Sequence, residues 1–415
     1  MDNFKHIALV VYYWPPSGGS GVQRWLFFAN FFAKKGMKIT VFTPATPRVA
    51  ESDNALVYKI NKSIDVVYVD GWEPLQKSKK AIGENVGQEK SIKSHLMRYV
   101  RANFFIPDAR VFWSKSAAKA VLKSHAKTPF DVLITSGPPH SMHLIGLKIK
   151  KECDVHWIAD FRDPWVGFFQ NESLPMIKGT KRKHEQLQEC VLKTADRVVV
   201  TAPSLAKEFE KHTKAISVFT NGYEQILPQS KNNKEAMVYA GSLKAQQNPI
   251  LLWEAISELA QENNDFASQF TLEIYGKVAE SVKEDVRRFG IEKWVRFLGY
   301  QSKMELDKRL PLAKVLLLLG IDMPNTHNII HGKLFEYMAA NRPVLGIGPK
   351  PSDMESLFTL HELGVYASFK EKELIKSTLL RWFTTTEIPF QTKKIESYQR
   401  KAIAENYLTL ILENA

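Results

Sequence analysis

The stretch HGKLFEYMAANRPVLG, residues 331–346, joins a Gly332-Lys333 turn to a short helix with one carboxylate, Glu336. The helix ends at Asn341-Arg342-Pro343, because proline cannot continue it, and runs into the apolar segment Val344-Leu345-Gly346-Ile347. An apolar run at 315–321, VLLLLGI, lies just before it. The order is therefore strand, loop, helix, strand. Such a loop and helix N-terminus sit outside the carboxyl end of a parallel sheet, where open α/β folds bind ligands. Free backbone N–H groups there favour a phosphate. A carboxylate in the first helical turn can accept two hydrogen bonds from a sugar diol. Phosphate site plus diol acceptor is what a nucleotide ligand needs.

The rest of the chain repeats this alternation twice. In the first half, buried-type strands are expected at 7–13, 38–43, 65–69, 131–135, 156–160 and 197–201. They read as continuous apolar runs rather than alternating ones, as parallel strands do. Between the first two lies a helical pattern with Trp25, Leu26, Phe28, Ala29, Phe32 and Ala33 on one face, stopped at Gly36. In the second half, strands are expected at 237–240, 270–275, 295–298 and 315–319, with a helix at 249–263. Two βαβ-type halves imply an α/β chain of two doubly wound, Rossmann-like domains. Asn221-Gly222 and the polar residues around it mark the boundary. The domains are read as 1–217 and 218–395.

Composition fits a soluble enzyme of two or three domains: 415 residues, 44% of them hydrophobic. Two cysteines, Cys153 and Cys190, form no disulfide framework and no zinc pattern. No apolar run is long enough to span a membrane. The net charge is +13, and residues 71–130 concentrate it, with twelve Lys or Arg against four Asp or Glu. Leu96, Met97, Tyr99, Val100, Phe104, Phe105 and Ile106 interleave with these charges. A basic stretch with apolar residues can dock on an anionic bilayer, or form a solvated helical hairpin with its own small core. No nucleic-acid motif appears.

Several residues are placed by the strand pattern at the ligand end of a sheet. Gly18, Gly19 and Gly21 follow the first strand and let the backbone approach a diphosphate or an acceptor. Position 24 is Arg, so this is not the dinucleotide fingerprint. His140 follows the fourth strand. Asp160, Arg162 and Asp163 lie at the carboxyl end of the fifth, where Arg162 and Asp163 either pair with each other or one of them contacts a sugar. Ser242 and Lys244 lie in the loop after the first strand of the second half, and Lys333 offers a second cation. No Asp-x-Asp occurs, so phosphate binding does not require a metal.

These landmarks come in a fixed order: the glycine turn, Asp160-Phe161-Arg162-Asp163-Pro164-Trp165, Thr201-Ala202-Pro203-Ser204, Asn221-Gly222-Tyr223, Tyr239-Ala240-Gly241-Ser242, and the Glu336 helix with Arg342-Pro343-Val344-Leu345. Together they resemble family 4 glycosyltransferases, which retain anomeric configuration and have the GT-B fold. The resemblance implies two domains facing across a cleft, with a last helix, read as 396–415, crossing back to the first domain. It implies that Glu336 holds the ribose of a nucleotide sugar. Eight positions earlier the family often has a second Glu; here Asn328 stands in that place. The implied donor site is Glu336, Lys333, Gly332, Asn328, Ser242, Lys244, Gly18 and Gly19, and the implied catalytic candidates are Asp163, Arg162 and His140. No metal or cofactor is expected beyond the nucleotide sugar itself. The expected acceptor is a glycan or lipid-linked glycan of an envelope polysaccharide. The expected location is cytoplasmic, peripheral on the inner face of the membrane. A nucleotide-sugar 2-epimerase and a non-catalytic nucleotide- or glycan-binding relic are the alternatives on the same fold.

Overall fold

The computed structural model describes residues 5–47, 52–72, 92–169, 174–228, 236–386 and 388–414. The chain divides into two compact units. Unit 1 comprises Met1–Thr220 and Arg400–Ala415, and unit 2 comprises Asn221–Gln399.

Unit 1 carries seven parallel strands: β1 (His6–Val10), β2 (Lys38–Pro44), β3 (Ile64–Val69), β4 (Val132–Gly137), β5 (His156–Phe161), β6 (Arg197–Val200) and β7 (Ile216–Val218), in the order β3-β2-β1-β4-β5-β6-β7. The order reverses direction between β1 and β4, which pair in register from Ile7↔Val132 to Val10↔Thr135. β1 and β4 are buried along their whole length, as strands covered on both faces must be. The helix Ser20–Lys34 turns Trp25, Phe28 and Phe32 into the core. The C-terminal helix Arg400–Asn414 packs there too, with Ile403, Ala404, Tyr407, Leu408 and Ile411 buried at helical spacing. The Tyr407 ring lies 5.7 Å from Phe28 and 5.0 Å from Phe219.

Unit 2 carries six parallel strands: β8 (Ala236–Ala240), β9 (Thr271–Tyr275), β10 (Val295–Gly299), β11 (Val315–Leu319), β12 (Val344–Gly348) and β13 (Gly364–Ser368), in the order β10-β9-β8-β11-β12-β13. Here the reversal falls between β8 and β11. The fully buried β11 reads Val-Leu-Leu-Leu-Leu and runs beside β12 from Leu316↔Val344 to Leu319↔Ile347. The helix Lys333–Ala340 between them buries Leu334, Phe335, Tyr337 and Met338. Each such side chain contributes roughly 1.5–3 kcal/mol by leaving water. Asn341, at φ 49°, ends the helix in the left-handed conformation and accepts from Thr392 N at 2.8 Å.

In the basic stretch 71–130, residues 73–91, including Lys77, Lys79 and Lys80, lie outside the described residues. The remainder forms the helices Ile92–Phe104 and Val111–Lys127. The second buries Trp113, Ala117 and Val121, whereas the first leaves Leu96, Met97, Val100 and Phe104 exposed. Among the described residues, no helix is long and apolar enough to cross a membrane.

Candidate functional site

In unit 2 the loops after β8 and β11 flank the strand reversal, where parallel sheets bind ligands. They are tied to each other. Gln247 Nε2 donates to Leu319 O at 3.0 Å, and Asp322 N donates to Gln246 O at 2.9 Å. Thr326 Oγ1 donates within the second loop, to Met323 O at 2.8 Å.

Lys333 stands at the first position of its helix, just after Gly332. Its ammonium lies 4.0 Å from the centre of the Tyr239 ring and 2.8 Å from the Tyr239 hydroxyl. That hydroxyl donates its own proton to Ser242 O at 2.9 Å, so it can only accept from Lys333. Gly241 makes room for this arrangement. At φ 117° it adopts a conformation that favours glycine, and a Cβ there would sit 2.9 Å from Lys333 Nζ. Burial pushes the Lys333 amine down to about 7, helped by the positive Lys244 and opposed by Glu336. His331 is pushed down to about 3 by burial and by Lys333 and Lys244, so its ring is neutral at pH 7. Next along the helix, Tyr337 Oη accepts from Ala240 N at 2.9 Å. Glu336 lies in the first turn, partly open to water, with its carboxylate 3.3 Å from Lys303 Nζ. The set is therefore a half-desolvated amine at a helix N-terminus, with a carboxylate one turn on. Such an amine gains when an anion arrives to hold its proton.

The structure thus brings Lys333, Gly332, Glu336, Ser242 and Lys244 to one end of one sheet. Asn328 lies buried in the loop after β11. Tyr239 and Lys303 were not readable as site residues. Tyr239 sits inside an apolar strand and looks like core, and Lys303 becomes relevant only through its contact with a residue 33 positions away.

In unit 1 the loops after β1, β4 and β5 meet over a buried carboxylate, Asp160. Its Oδ2 accepts from Ser136 Oγ at 2.7 Å and from Trp25 Nε1 at 3.2 Å. Its Oδ1 lies 3.8 Å from the buried Arg24 guanidinium, which also donates to Phe219 O at 2.9 Å and to Thr220 O. Arg24, which breaks the glycine fingerprint, is therefore the cation of this pair. Arg162 donates to Ser136 Oγ at 3.1 Å and to Pro138 O, and it fills the space where a side chain at Gly21 would stand. Its Nε and Nη2 are thus held by the end of β4 and the residue after it, and its Nη1 lies against the glycine turn. Beside it, burial raises the Asp163 carboxyl to about 6, with Arg162 pulling the other way. Burial pushes His140 down to about 3, so it is a neutral ring at pH 7, stacked on Trp165 at 5.3 Å. Gly18 and Gly19 lead into the helix Ser20–Lys34, and Gly19 is its N-cap. Among the described residues, no group of three or more His, Cys, Asp or Glu could hold a metal ion.

Residues 234–353, which include every unit 2 residue of this site, match the family model described as Glycosyl transferases group 1. No curated protein matches the chain. Among solved structures, the chain is similar to sucrose-phosphate synthase from Thermosynechococcus elongatus, with 13% identity over 99% of this chain and 97% of that one, at a TM-score of 0.62. It is similar to the lipopolysaccharide outer core galactosyltransferase WaaB, with 16% identity over 99% and 100%, at 0.60. It is also similar to WaaG, a glycosyltransferase involved in lipopolysaccharide biosynthesis, with 14% identity over 98% and 95%, at 0.57. Near-complete coverage of both chains at such low identity shows the fold: two doubly wound α/β units in one chain, the GT-B fold of these neighbours.

Proposed function

We propose that the protein is a retaining, metal-independent glycosyltransferase that moves a sugar from a nucleotide sugar to a glycan or lipid-linked glycan acceptor, in the building of an envelope polysaccharide. The observation that carries this reading is the placement of Lys333 and Glu336 in the first turn of one helix at the unit 2 strand reversal, inside the segment that matches a glycosyltransferase family. In glycosyl transfer the nucleoside diphosphate leaves, so groups that stabilise its developing charge lower the barrier most. Lys333, at the positive end of its helix, would bind the diphosphate. Glu336 would accept the ribose hydroxyls. Unit 1 supplies the acceptor-side candidates Arg162, Asp163 and His140 in this reading. Asp163, raised to about 6, can exchange a proton near neutral pH. Gly18 and Gly19 remain candidates for the approach of either substrate. The basic, apolar-faced helix Ile92–Phe104 supports contact with an anionic membrane surface, on the cytoplasmic side where a lipid-linked acceptor is presented.

The test is turnover of a panel of nucleotide sugars with and without a polysaccharide or lipid-linked acceptor, read as release of nucleoside diphosphate and as the anomeric configuration of the product. Acceptor-dependent release with retained configuration is expected. Turnover that yields an epimerised donor without acceptor would assign the protein to the epimerase reading. Tight nucleotide binding with no turnover at all would assign it to the binding-only one.

A further inference from the structure

The Glu336 carboxylate has a fixed neighbour. Lys303 Nζ lies 3.3 Å from Glu336 Oε1 and 2.8 Å from Asp307 Oδ1, so one ammonium bridges the helix Lys333–Ala340 to the helix Lys303–Arg309. The position of Lys303 is itself constrained. It begins its helix, whose cap Ser302 accepts from Glu305 N at 3.3 Å. Just upstream, the end of β10 is fastened to β9 where Gly276 N donates to Gly299 O at 2.7 Å. Burial works against the Lys303 charge, but Glu336 and Asp307 outweigh it and hold the amine above its ordinary range. Lys303 is therefore an ammonium throughout the neutral pH range. Among the described residues, Glu336 forms no other ion pair.

A single, partly exposed ion pair of this kind adds little to stability. Its effect is on geometry. A glutamate on a helix surface has three rotatable bonds, and a diol is read only if the carboxylate stands in one place. With one lone pair of Oε1 engaged by Lys303, the other lone pairs of the carboxylate are left to accept hydroxyls. We propose that Lys303 is a positioning residue for Glu336 and thereby sets the preference for ribose over 2′-deoxyribose in the nucleotide. This rests on the reading of Glu336 as the ribose acceptor.

The test is calorimetric titration of the full chain with the common ribonucleoside diphosphates, their 2′-deoxy counterparts and inorganic pyrophosphate. The wild type, Lys303→Met, Lys303→Arg and Glu336→Gln are compared, each checked for an unchanged melting temperature. The wild type is expected to favour the ribonucleotide by about tenfold or more, the value of a charged hydrogen bond. In Lys303→Met the ratio should fall toward one while pyrophosphate binds as before, and Lys303→Arg should restore the ratio. Wild-type preference persisting in Lys303→Met but lost in Glu336→Gln overturns the positioning role alone. Preference persisting in Glu336→Gln overturns the ribose reading beneath it. Equal weakening of pyrophosphate and nucleotides in Lys303→Met makes Lys303 a phosphate contact and overturns the proposal.

Discussion

Replacing Lys333 with Met should make the ligand-free protein more stable and the donor-bound protein weaker. The drop of the amine from 10.5 to about 7 corresponds to roughly 5 kcal/mol against its charged form, at 1.36 kcal/mol per pKa unit. Partial access of Lys333 to water and the lost hydrogen bond to Tyr239 both offset the gain, leaving roughly 2 kcal/mol for the Met variant at pH 7. In a unit of this size that raises the melting temperature by about 4–8 °C. The sign with pH follows from the lowered value. Between pH about 7 and 10.5 the unfolded chain holds a proton that folded Lys333 has given up. The contribution of this group to ligand-free stability therefore rises with pH across that window, and the Met variant lacks that rise. Binding runs the other way. In the proposed reading the charged amine grips a diphosphate, so affinity is expected to be greatest below pH about 7 and to fall as pH rises through it. A nucleotide sugar is the right probe, because its bridging diphosphate does not titrate there. Loss of the charged contact should cost about ten- to a hundredfold in affinity. Thermal melts from pH 6 to 10, with calorimetry in buffers of different ionisation enthalpy, read both effects and the proton taken up. A Met variant that melts below the wild type at pH 7, or wild-type affinity flat across this range, would refute the placement of Lys333 as a desolvated phosphate ligand.

Three further outcomes are expected. Activity with a known donor and acceptor should survive excess chelator, and an absolute Mg²⁺ or Mn²⁺ requirement would contradict the assigned site. Arg24→Met leaves Asp160 buried beside an apolar side chain, which should destabilise unit 1 by about 3–5 kcal/mol in urea denaturation. An unchanged midpoint would show that the pair carries no such weight. The protein should sediment with vesicles containing anionic lipid, less with neutral ones, and be partly released at 1 M salt, where the Debye length is about 3 Å. Changing Leu96 and Phe104 to Glu, or Lys77, Lys79, Lys80, Lys93 and Arg98 to Gln, should weaken that sedimentation without changing nucleotide affinity.

The α/β alternation was legible because buried parallel strands are written as unbroken apolar runs. The expected strand at 315–319 coincides with β11, and the others agree with the observed ends to within three residues. β7 and β13 were not foreseen. β7 is three residues long and mostly half-exposed, and β13 begins Gly-Val-Tyr, so neither has the density of apolar residues that marks an interior strand. The helix at 333–340 was legible from its Pro-Val-Leu exit, and with it the place of Glu336. The electrostatics of the site were not. That Lys333 is desolvated depends on Tyr239, 94 positions away, and that Arg24 neutralises Asp160 depends on a strand 136 positions later. Spacing along the chain carries no information about such pairs. Arg162 shows the same limit, since a neighbouring opposite charge suggested an ion pair with Asp163 while the fold commits its guanidinium to Pro138 O and Ser136 Oγ.

The most direct test of the proposed donor site is calorimetry of the wild type and Glu336→Ala against a panel of nucleotide sugars. The substitution lies on a partly exposed helix face and costs the fold little. Wild-type binding of at least one donor is expected, weakened about ten- to a hundredfold in the Ala variant by loss of charged hydrogen bonds worth roughly 1.5–3 kcal/mol. A folded Glu336→Ala protein that binds the same donor with unchanged affinity would contradict the assignment.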